Sequence, residues 1–221
     1  AILMSFFNYR VILEIHHELT GLTYLIFNII RRLNFFKKIK FIFISKSLAN
    51  KYNLNNSQII LDDAVNTDDF KIKKRKLIIK KNSCIYTGSL ARGKGLEKII
   101  EISKILKKIN FDIYGDFINS DFKKNDLKKY PNIKFKGYAE YRKIPNILSQ
   151  YNIALMPYSE KVYVRAKNIE TSKYMSPMKL FDYMASKKII VASNLGVYSH
   201  ILNKKNSVLV NKHSPKLWAK K

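Results

Sequence analysis

Two short stretches of the chain hold the residue types that anion chemistry needs. The first, Gly88-Ser89-Leu90-Ala91-Arg92-Gly93-Lys94-Gly95, follows an apolar β-type run and precedes a helical pattern. Glycines in such a turn let backbone amides approach a phosphate, the helix that follows adds partial positive charge, and Arg92 or Lys94 neutralises the oxygens. The turn is neither a Walker loop, which needs Gly-Lys-Ser/Thr after a longer gap, nor a GxGxxG dinucleotide fingerprint. The second stretch, Ser176-Pro177-Met178-Lys179-Leu180-Phe181-Asp182-Tyr183-Met184-Ala185, reads as a helix with serine as N-cap and proline at the first helical position. Such a start turns backbone amides toward an anion. Asp182, one to two turns in, is open to two readings: a carboxylate that accepts from ribose hydroxyls, or a solvated helix residue.

Two further residues are weighed for chemistry. His16, beside His17 at the end of a strand-like run, is a candidate for a polar contact in a site or a structural histidine. Cys84 stands alone inside Cys84-Ile85-Tyr86, so the chain has no internal disulfide, no cysteine metal spacing, and a buried thiol suited to a reducing compartment. No His/Asp/Cys cluster suggests a metal.

The elements that would position these residues alternate along the chain. Val11 to Ile15 reads as a strand, Gly21 to Leu33 as a helix, Phe41 to Ile44 as a strand, and a helix opens at Ser45 or Ser47. Leu22 to Ile30 is too short to span a membrane and is expected to be amphipathic or buried, followed by the basic and aromatic Leu33 to Lys40. Between Asp62 and Lys80 the composition turns acidic and polar and then basic, in Lys71-Ile72-Lys73-Lys74-Arg75-Lys76. The pattern then restarts with a strand at Cys84 to Tyr86 and a helix at Leu96 to Lys107, whose inward positions are Leu96, Ile99, Ile100, Ser103 and Leu106. Strands are expected at Phe111 to Tyr114, Ile133 to Phe135, Ile153 to Pro157 and Ile189 to Ala192, with a helix around Met178 to Ala185. This is the α/β signature of parallel sheets with crossover helices. Residues near 115, 137, 157 and 176 are expected just after strand ends, where open α/β sheets bind ligands. The domains expected are 1–66, a hinge or linker at 67–80, and 81–221.

Composition narrows the function classes. A 221-residue chain that is 47% hydrophobic can build a real core, so disorder is not expected. The net charge of +26 raises nucleic acid, an anionic membrane or phosphorylated ligands as partners. Lysine, isoleucine and asparagine are spread along the whole chain, as in a protein from an AT-rich genome, and no RNA-binding signature interleaves basic with aromatic residues on one face. Nucleic acid is therefore not expected as a partner. Ala1 at the start and Trp218-Ala219-Lys220-Lys221 at the close read as cut ends, so the chain is expected to be a fragment.

The ordered series is more specific than any one motif. Tyr86-Thr87-Gly88-Ser89-Leu90, Lys94-Gly95, Phe111-Asp112-Ile113-Tyr114-Gly115, Phe135-Lys136-Gly137-Tyr138, Ile153-Ala154-Leu155-Met156-Pro157 and Ser176 to Ala185 together resemble the C-terminal domain of family 4 glycosyltransferases, retaining enzymes of GT-B fold. Upstream, Glu14-Ile15-His16-His17, Phe43-Ile44-Ser45-Lys46-Ser47-Leu48 and Asp63-Ala64-Val65-Asn66 are similar to the later part of that family's N-terminal domain and hinge. The resemblance implies two Rossmann-like domains with parallel sheets, the N-terminal acceptor-side one incomplete, and a nucleotide-sugar site in the C-terminal one.

By the same resemblance, Lys94 matches the lysine that contacts the donor diphosphate, while the family's arginine falls on Ser89 and leaves Arg92 as its substitute. The paired glutamates, seven residues apart, fall on Tyr174 and Asp182; the first contacts the sugar and the second holds the ribose. Gly137 and Tyr138 match the segment that lines the nucleobase. Gly88, Ser89 and the helix start at Ser176, Pro177, Met178 and Lys179 complete the donor site, and His16 matches a histidine that faces the sugar across the cleft. The resemblance implies no metal and no other cofactor. It implies transfer to a glycan or lipid-linked acceptor of bacterial polysaccharide synthesis in the cytoplasm, with peripheral contact to the anionic inner membrane face through the basic surface near Arg31 to Lys40. A GT-B scaffold that binds nucleotide without turnover is the competing reading, carried by Tyr174 and Ser89.

Overall fold

The computed structural model describes residues 10–32, 39–54, 58–71, 78–118, 120–163, 170–211 and 214–221. Contacts divide the chain into two units: residues up to Asp63 together with Lys173–Ser176, and Ala64–Ser172 together with Pro177–Lys221. The division thus falls between Asp63 and Ala64, and Thr67–Phe70 forms a single 3-10 turn with Phe70 buried. Most of the basic run Lys71 to Lys76, and most of Leu33 to Lys40, lie outside the described residues.

The first unit is a parallel sheet in order β1-β2-β3, formed by β1 (Val11–Ile15), β2 (Ile39–Phe43) and β3 (Gln58–Ile60). Helix α1 (Gly21–Arg32) links β1 to β2, and α2 (Lys46–Tyr52) follows β2. Ser45 caps α2: its hydroxyl accepts from the Leu48 amide at 3.3 Å, satisfying one of the donors a helix start leaves over. Aromatic rings fill the space between helices and sheet, with Phe27 edge-on to Tyr52 at 5.1 Å and Phe43 stacked on Tyr52 at 5.5 Å. Phe27 is the buried anchor of α1, whereas Leu22, Leu25, Ile26 and Ile29 on the same helix are exposed. The helix is therefore amphipathic rather than buried. Among the described residues no helix is long and apolar enough to cross a membrane.

The second unit holds, among the described residues, six parallel strands: β4 (Ser83–Thr87), β5 (Asn110–Tyr114), β6 (Ile133–Gly137), β7 (Ile153–Met156), β8 (Ile189–Ser193) and β9 (Val208–Val210). Their order is β6-β5-β4-β7-β8-β9, so the chain winds outward from β4 in one direction, then restarts at β7 and winds in the other. That reversal is the switch point of a doubly wound sheet, and it leaves a crevice beyond the carboxyl ends of β4 and β7. The central strands are buried on both faces and read as continuous apolar runs, as parallel sheets require. Helices α3 (Leu96–Ile105), α5 (Ile144–Leu148), α6 (Met178–Ala185) and α7 (Pro215–Ala219), with the short α4 (Lys124–Leu127), complete the unit. On α3, Leu96, Ile99, Ile100 and Ser103 are buried at helical spacing. The Asn132 amide closes its far end by donating to the carbonyls of Ser103, Leu106 and Ile109 at 3.0–3.1 Å.

Two expectations are corrected. Residue 176 does not follow a strand end: it sits before α6 and packs with the first unit. Nor does Ser176 cap α6 with proline inside it. Pro177, extended at φ −82° and ψ 107°, is itself the cap residue and the helix opens at Met178, while the Ser176 hydroxyl accepts from the Asp63 amide at 2.9 Å.

Candidate functional site

The crevice at the switch point is built from the turn after β4. Gly88 takes φ +122°, and a Cβ there would lie 3.0 Å from both Cε and Nζ of Lys179. Glycine at this position thus makes room for a lysine arriving from another element. Gly93 and Gly95 are small for a different reason. A Cβ on Gly93 would fall 1.9 Å from the Lys161 carbonyl oxygen and one on Gly95 2.1 Å from that of Pro157, so the turn packs directly on the chain leaving β7. Lys94 folds back across the turn, and its Nζ donates to the Ser89 hydroxyl at 2.7 Å. The Tyr86 hydroxyl donates to the Ser89 carbonyl at 2.9 Å and holds that turn in place.

Helix α6 supplies the other wall. Its buried face carries Lys179, Leu180, Asp182 and Tyr183, and no side chain caps its start, while Met178 is exposed there. The Tyr183 hydroxyl accepts from the Thr87 amide at 2.9 Å, tying the end of β4 to the helix. Lys179 reaches under Gly88 and lies 3.5 Å from the centre of the Tyr86 ring and 5.1 Å from that of Tyr158. Its Nζ is buried and makes no hydrogen bond. Burial drives its pKa well below the usual lysine range, Lys94 pushes the same way, and Asp182 opposes.

Asp182 is not a solvated helix residue: it is 6% exposed and accepts from the Tyr141 hydroxyl at 3.0 Å. Burial raises its pKa, while the Tyr141 hydrogen bond and Lys179 pull it down. Tyr141 is pushed up to about 12 by burial and by the carboxylate, so it stays a donor across the neutral range. Gly137 closes β6 at φ +79° with its carbonyl bound to the Gly115 amide at 2.9 Å, and the next residue, Tyr138, is 71% exposed. Arg92 faces elsewhere: its Nε lies 3.7 Å from an Asp121 carboxylate oxygen, and the guanidinium lies 5.4 Å from the Tyr163 ring centre.

The remaining candidates belong to the first unit. His16 follows β1, and its Nε2 lies 3.1 Å from a Glu14 carboxylate oxygen. Tyr174 accepts at its carbonyl from the Ser45 hydroxyl at 3.0 Å, and its ring lies 5.7 Å from the ammonium of Lys51. Lys51 pairs with Glu18, and a hydrogen bond from Lys51 holds the Glu18 carboxyl low. The Tyr174 hydroxyl is raised chiefly by its own bond to Glu18. Among the described residues no group of three or more His, Cys, Asp or Glu stands together as a metal site would require.

Sequence reasoning missed Tyr141 and the Tyr86 and Tyr158 rings around Lys179. Tyr141 gives no signal by spacing, because its partner comes from a helix far along the chain. The Tyr86-Thr87-Gly88 run did place an aromatic next to the turn, but nothing in the sequence pairs that ring with Lys179.

Two units, each with an all-parallel sheet, define an α/β protein of the GT-B class, and solved structures agree with that fold. A glycosyltransferase from Rickettsia africae ESF-5 superposes with a TM-score of 0.68 at 16% identity, over 95% of this chain and 58% of its own. A variant of S. aureus TarM, in complex with Fondaparinux, alpha-GlcNAc-glycerol and UDP, superposes with a TM-score of 0.62 at 18% identity, over 95% of this chain and 42% of its own. The chain belongs to the glycosyl transferases group 1 family, whose model matches residues 81–221. It is also similar to a Bacillus subtilis (strain 168) protein named for teichuronic acid biosynthesis as the glycosyltransferase TuaH, with 30% identity over 80 residues, 36% of this chain and 18% of that one. The chain therefore spans under a fifth of that curated relative and about half of the two solved structures.

Proposed function

We propose that the protein is a retaining glycosyltransferase of family 4. It takes a sugar from a nucleotide-sugar donor held by the second unit and passes it to a glycan or lipid-linked acceptor in bacterial cell-surface polysaccharide synthesis. The observation that carries the reading is the assembly at the switch point: Lys94 on Ser89, the close-packed glycine turn, and an uncapped α6 that brings Asp182 to the same crevice. Family membership and the name of the Bacillus relative support the class of reaction.

In this reading the diphosphate lies on the Gly88–Ser89 turn before the start of α6, at Pro177, Met178 and Lys179. Lys94 and the helix start face the negative charge that grows as the bond from sugar to phosphate breaks. Fixed cations and dipoles at such a point are usually a large share of catalysis. Asp182 accepts from the ribose hydroxyls, and Gly137 with Tyr138 borders the base. As the bond from sugar to phosphate breaks, the acceptor hydroxyl adds to the sugar carbon on the face the phosphate leaves and gives its proton to the departing diphosphate, which retains configuration. The roles of His16 and Ser176, the auxiliary role of Arg92, the absence of a metal requirement, a cytoplasmic setting and peripheral contact with an anionic membrane belong to the same proposal through the family resemblance.

A binding protein without turnover is the second reading, favoured by Tyr174, which supplies no carboxylate and is tied to Glu18 and Lys51. Calorimetry with UDP- and GDP-sugars, combined with assay of sugar released or transferred, separates the two. Binding of one nucleotide family, weakened about tenfold or more in Lys94→Ala and Asp182→Ala, with turnover, is the expected result. Binding without turnover selects the second reading, and no binding by the folded protein removes the donor site altogether.

A further inference from the structure

Lys179 is a buried lysine whose amine makes no hydrogen bond. A lysine that served only to fill space would be better replaced by methionine, because burying an amine without a hydrogen-bond acceptor costs free energy that an apolar chain of the same length does not. Yet the fold shapes itself around this amine. A Cβ on Gly88 would stand 3.0 Å from both Cε and Nζ of Lys179, a tight contact that glycine avoids. The rings of Tyr86 and Tyr158 border it at 3.5 and 5.1 Å, a weak cation site that stabilises charge without neutralising it. The groups that face it are Tyr86 on β4, Tyr158 after β7, Lys94 on the glycine turn and Asp182 on its own helix, and no carboxylate reaches it as a hydrogen-bond partner.

We propose that the Lys179 amine is the second cation of the donor diphosphate site, kept behind Gly88 without an acceptor until a phosphate oxygen on the turn supplies one. This rests on the donor-site reading given above and deepens it. On the turn Lys94 donates to Ser89, whereas Arg92 lies beside an Asp121 carboxylate and the Tyr163 ring. Lys179 adds a cation from the opposite wall.

While it stays buried without a partner, desolvation first and then Lys94 oppose the charge of the amine, and Asp182 favours it, so its proton is held less firmly than that of an exposed lysine. A bound diphosphate reverses the balance and strengthens the hold of the amine on its proton as the ion pair forms. Donor binding is thereby linked to proton uptake. The diphosphate of a nucleotide sugar carries no proton near neutrality, so the uptake comes from the protein alone.

The test is calorimetry of the preferred nucleotide sugar in buffers of differing ionisation enthalpy, with wild type, Lys94→Ala and Lys179→Met. Wild type is expected to take up protons from solvent as donor binds, as a group whose pKa rises on binding must. Lys179→Met is expected to lose that uptake and about tenfold or more in affinity, whereas Lys94→Ala weakens binding but keeps the uptake. The thermal midpoint of Lys179→Met, expected at or above wild type, shows that lost binding is not lost folding. Undiminished affinity in Lys179→Met overturns this proposal alone. Absence of binding by the wild type overturns it together with the donor site.

Discussion

Asp182 stands where two demands oppose each other. The site asks for an ionised acceptor, while its burial favours the neutral acid and raises its pKa. Tyr141 moderates the conflict by donating to the carboxylate at 3.0 Å. Because the folded pKa lies above the unfolded one, the carboxyl contributes stability at acid pH, below its ordinary value, and loses it as pH rises through the folded value. At neutral pH the charged form is therefore a burden. Asp182→Asn, which keeps the shape and can still accept from Tyr141, is expected to raise the denaturation midpoint at neutral pH, with no gain in strong acid, and to weaken donor binding. Tyr141 is a positioning residue, and its removal has a different signature. In Tyr141→Phe the carboxyl ionises at higher pH, so the acid limb of donor binding should move up in pH, with an affinity loss of about three- to tenfold at neutrality. An unmoved pH profile would show that Tyr141 does not act through Asp182.

At the scale of elements, the second unit's sheet contains a buried polar knot of its own, away from the crevice. Asp112 on β5 is 3% exposed, pairs with the Lys80 ammonium at 3.1 Å and accepts from the Tyr151 hydroxyl, while Tyr151 also contacts Lys80. The other carboxylate oxygen, Oδ1, has no partner, so each donor that remains matters. Tyr151→Phe removes one and leaves a buried charge short of hydrogen bonds. A loss of about 1–3 kcal/mol in denaturant unfolding is expected; a change within error would mean that Lys80 alone satisfies Asp112. None of this was legible in the sequence, where Asp112 reads only as one polar residue inside an apolar run. The strands β4, β5 and β7 and the helices α3 and α6 were legible, because apolar period and glycine punctuation agree there. β9 and α7 were not read, since a three-residue Val208-Leu209-Val210 strand gains its identity only by pairing with β8. The helix start at Met178 was misread by one residue because the Ser176 hydroxyl is engaged by the Asp63 amide, a contact between distant positions. Motif order located the site; the side-chain partners inside it, all long-range, had no local signal.

Over the whole molecule, charge sets how stability answers to pH. With a net charge of +26 and a sequence pI near 10.0, the protein repels itself throughout the neutral range, and that repulsion fades as pH rises. Buried lysine adds to the trend. Lys98, 4% exposed beneath the Trp218 ring, is lowered by burial from 10.5 to about 8. Between those values the unfolded chain holds a proton that the folded one has released, so stability rises with pH across that window. Other buried groups reverse the slope higher up. Burial lifts Cys84 from 9.0 to about 11, and Tyr86, Tyr151, Tyr158, Tyr183 and Tyr198 are all held above the ordinary tyrosine value of 10.0. Above that value the unfolded chain ionises first and is favoured. The two slopes place maximum stability on the alkaline side of neutrality. Denaturant midpoints measured from neutral to strongly alkaline pH should rise to that point and then fall. In Lys98→Met the rise should flatten because its neutral-pH end is lifted, while the alkaline fall is unchanged. A wild-type profile that declines steadily from neutrality would mean that neither the buried lysine nor the excess of positive charge governs the stability of this fold.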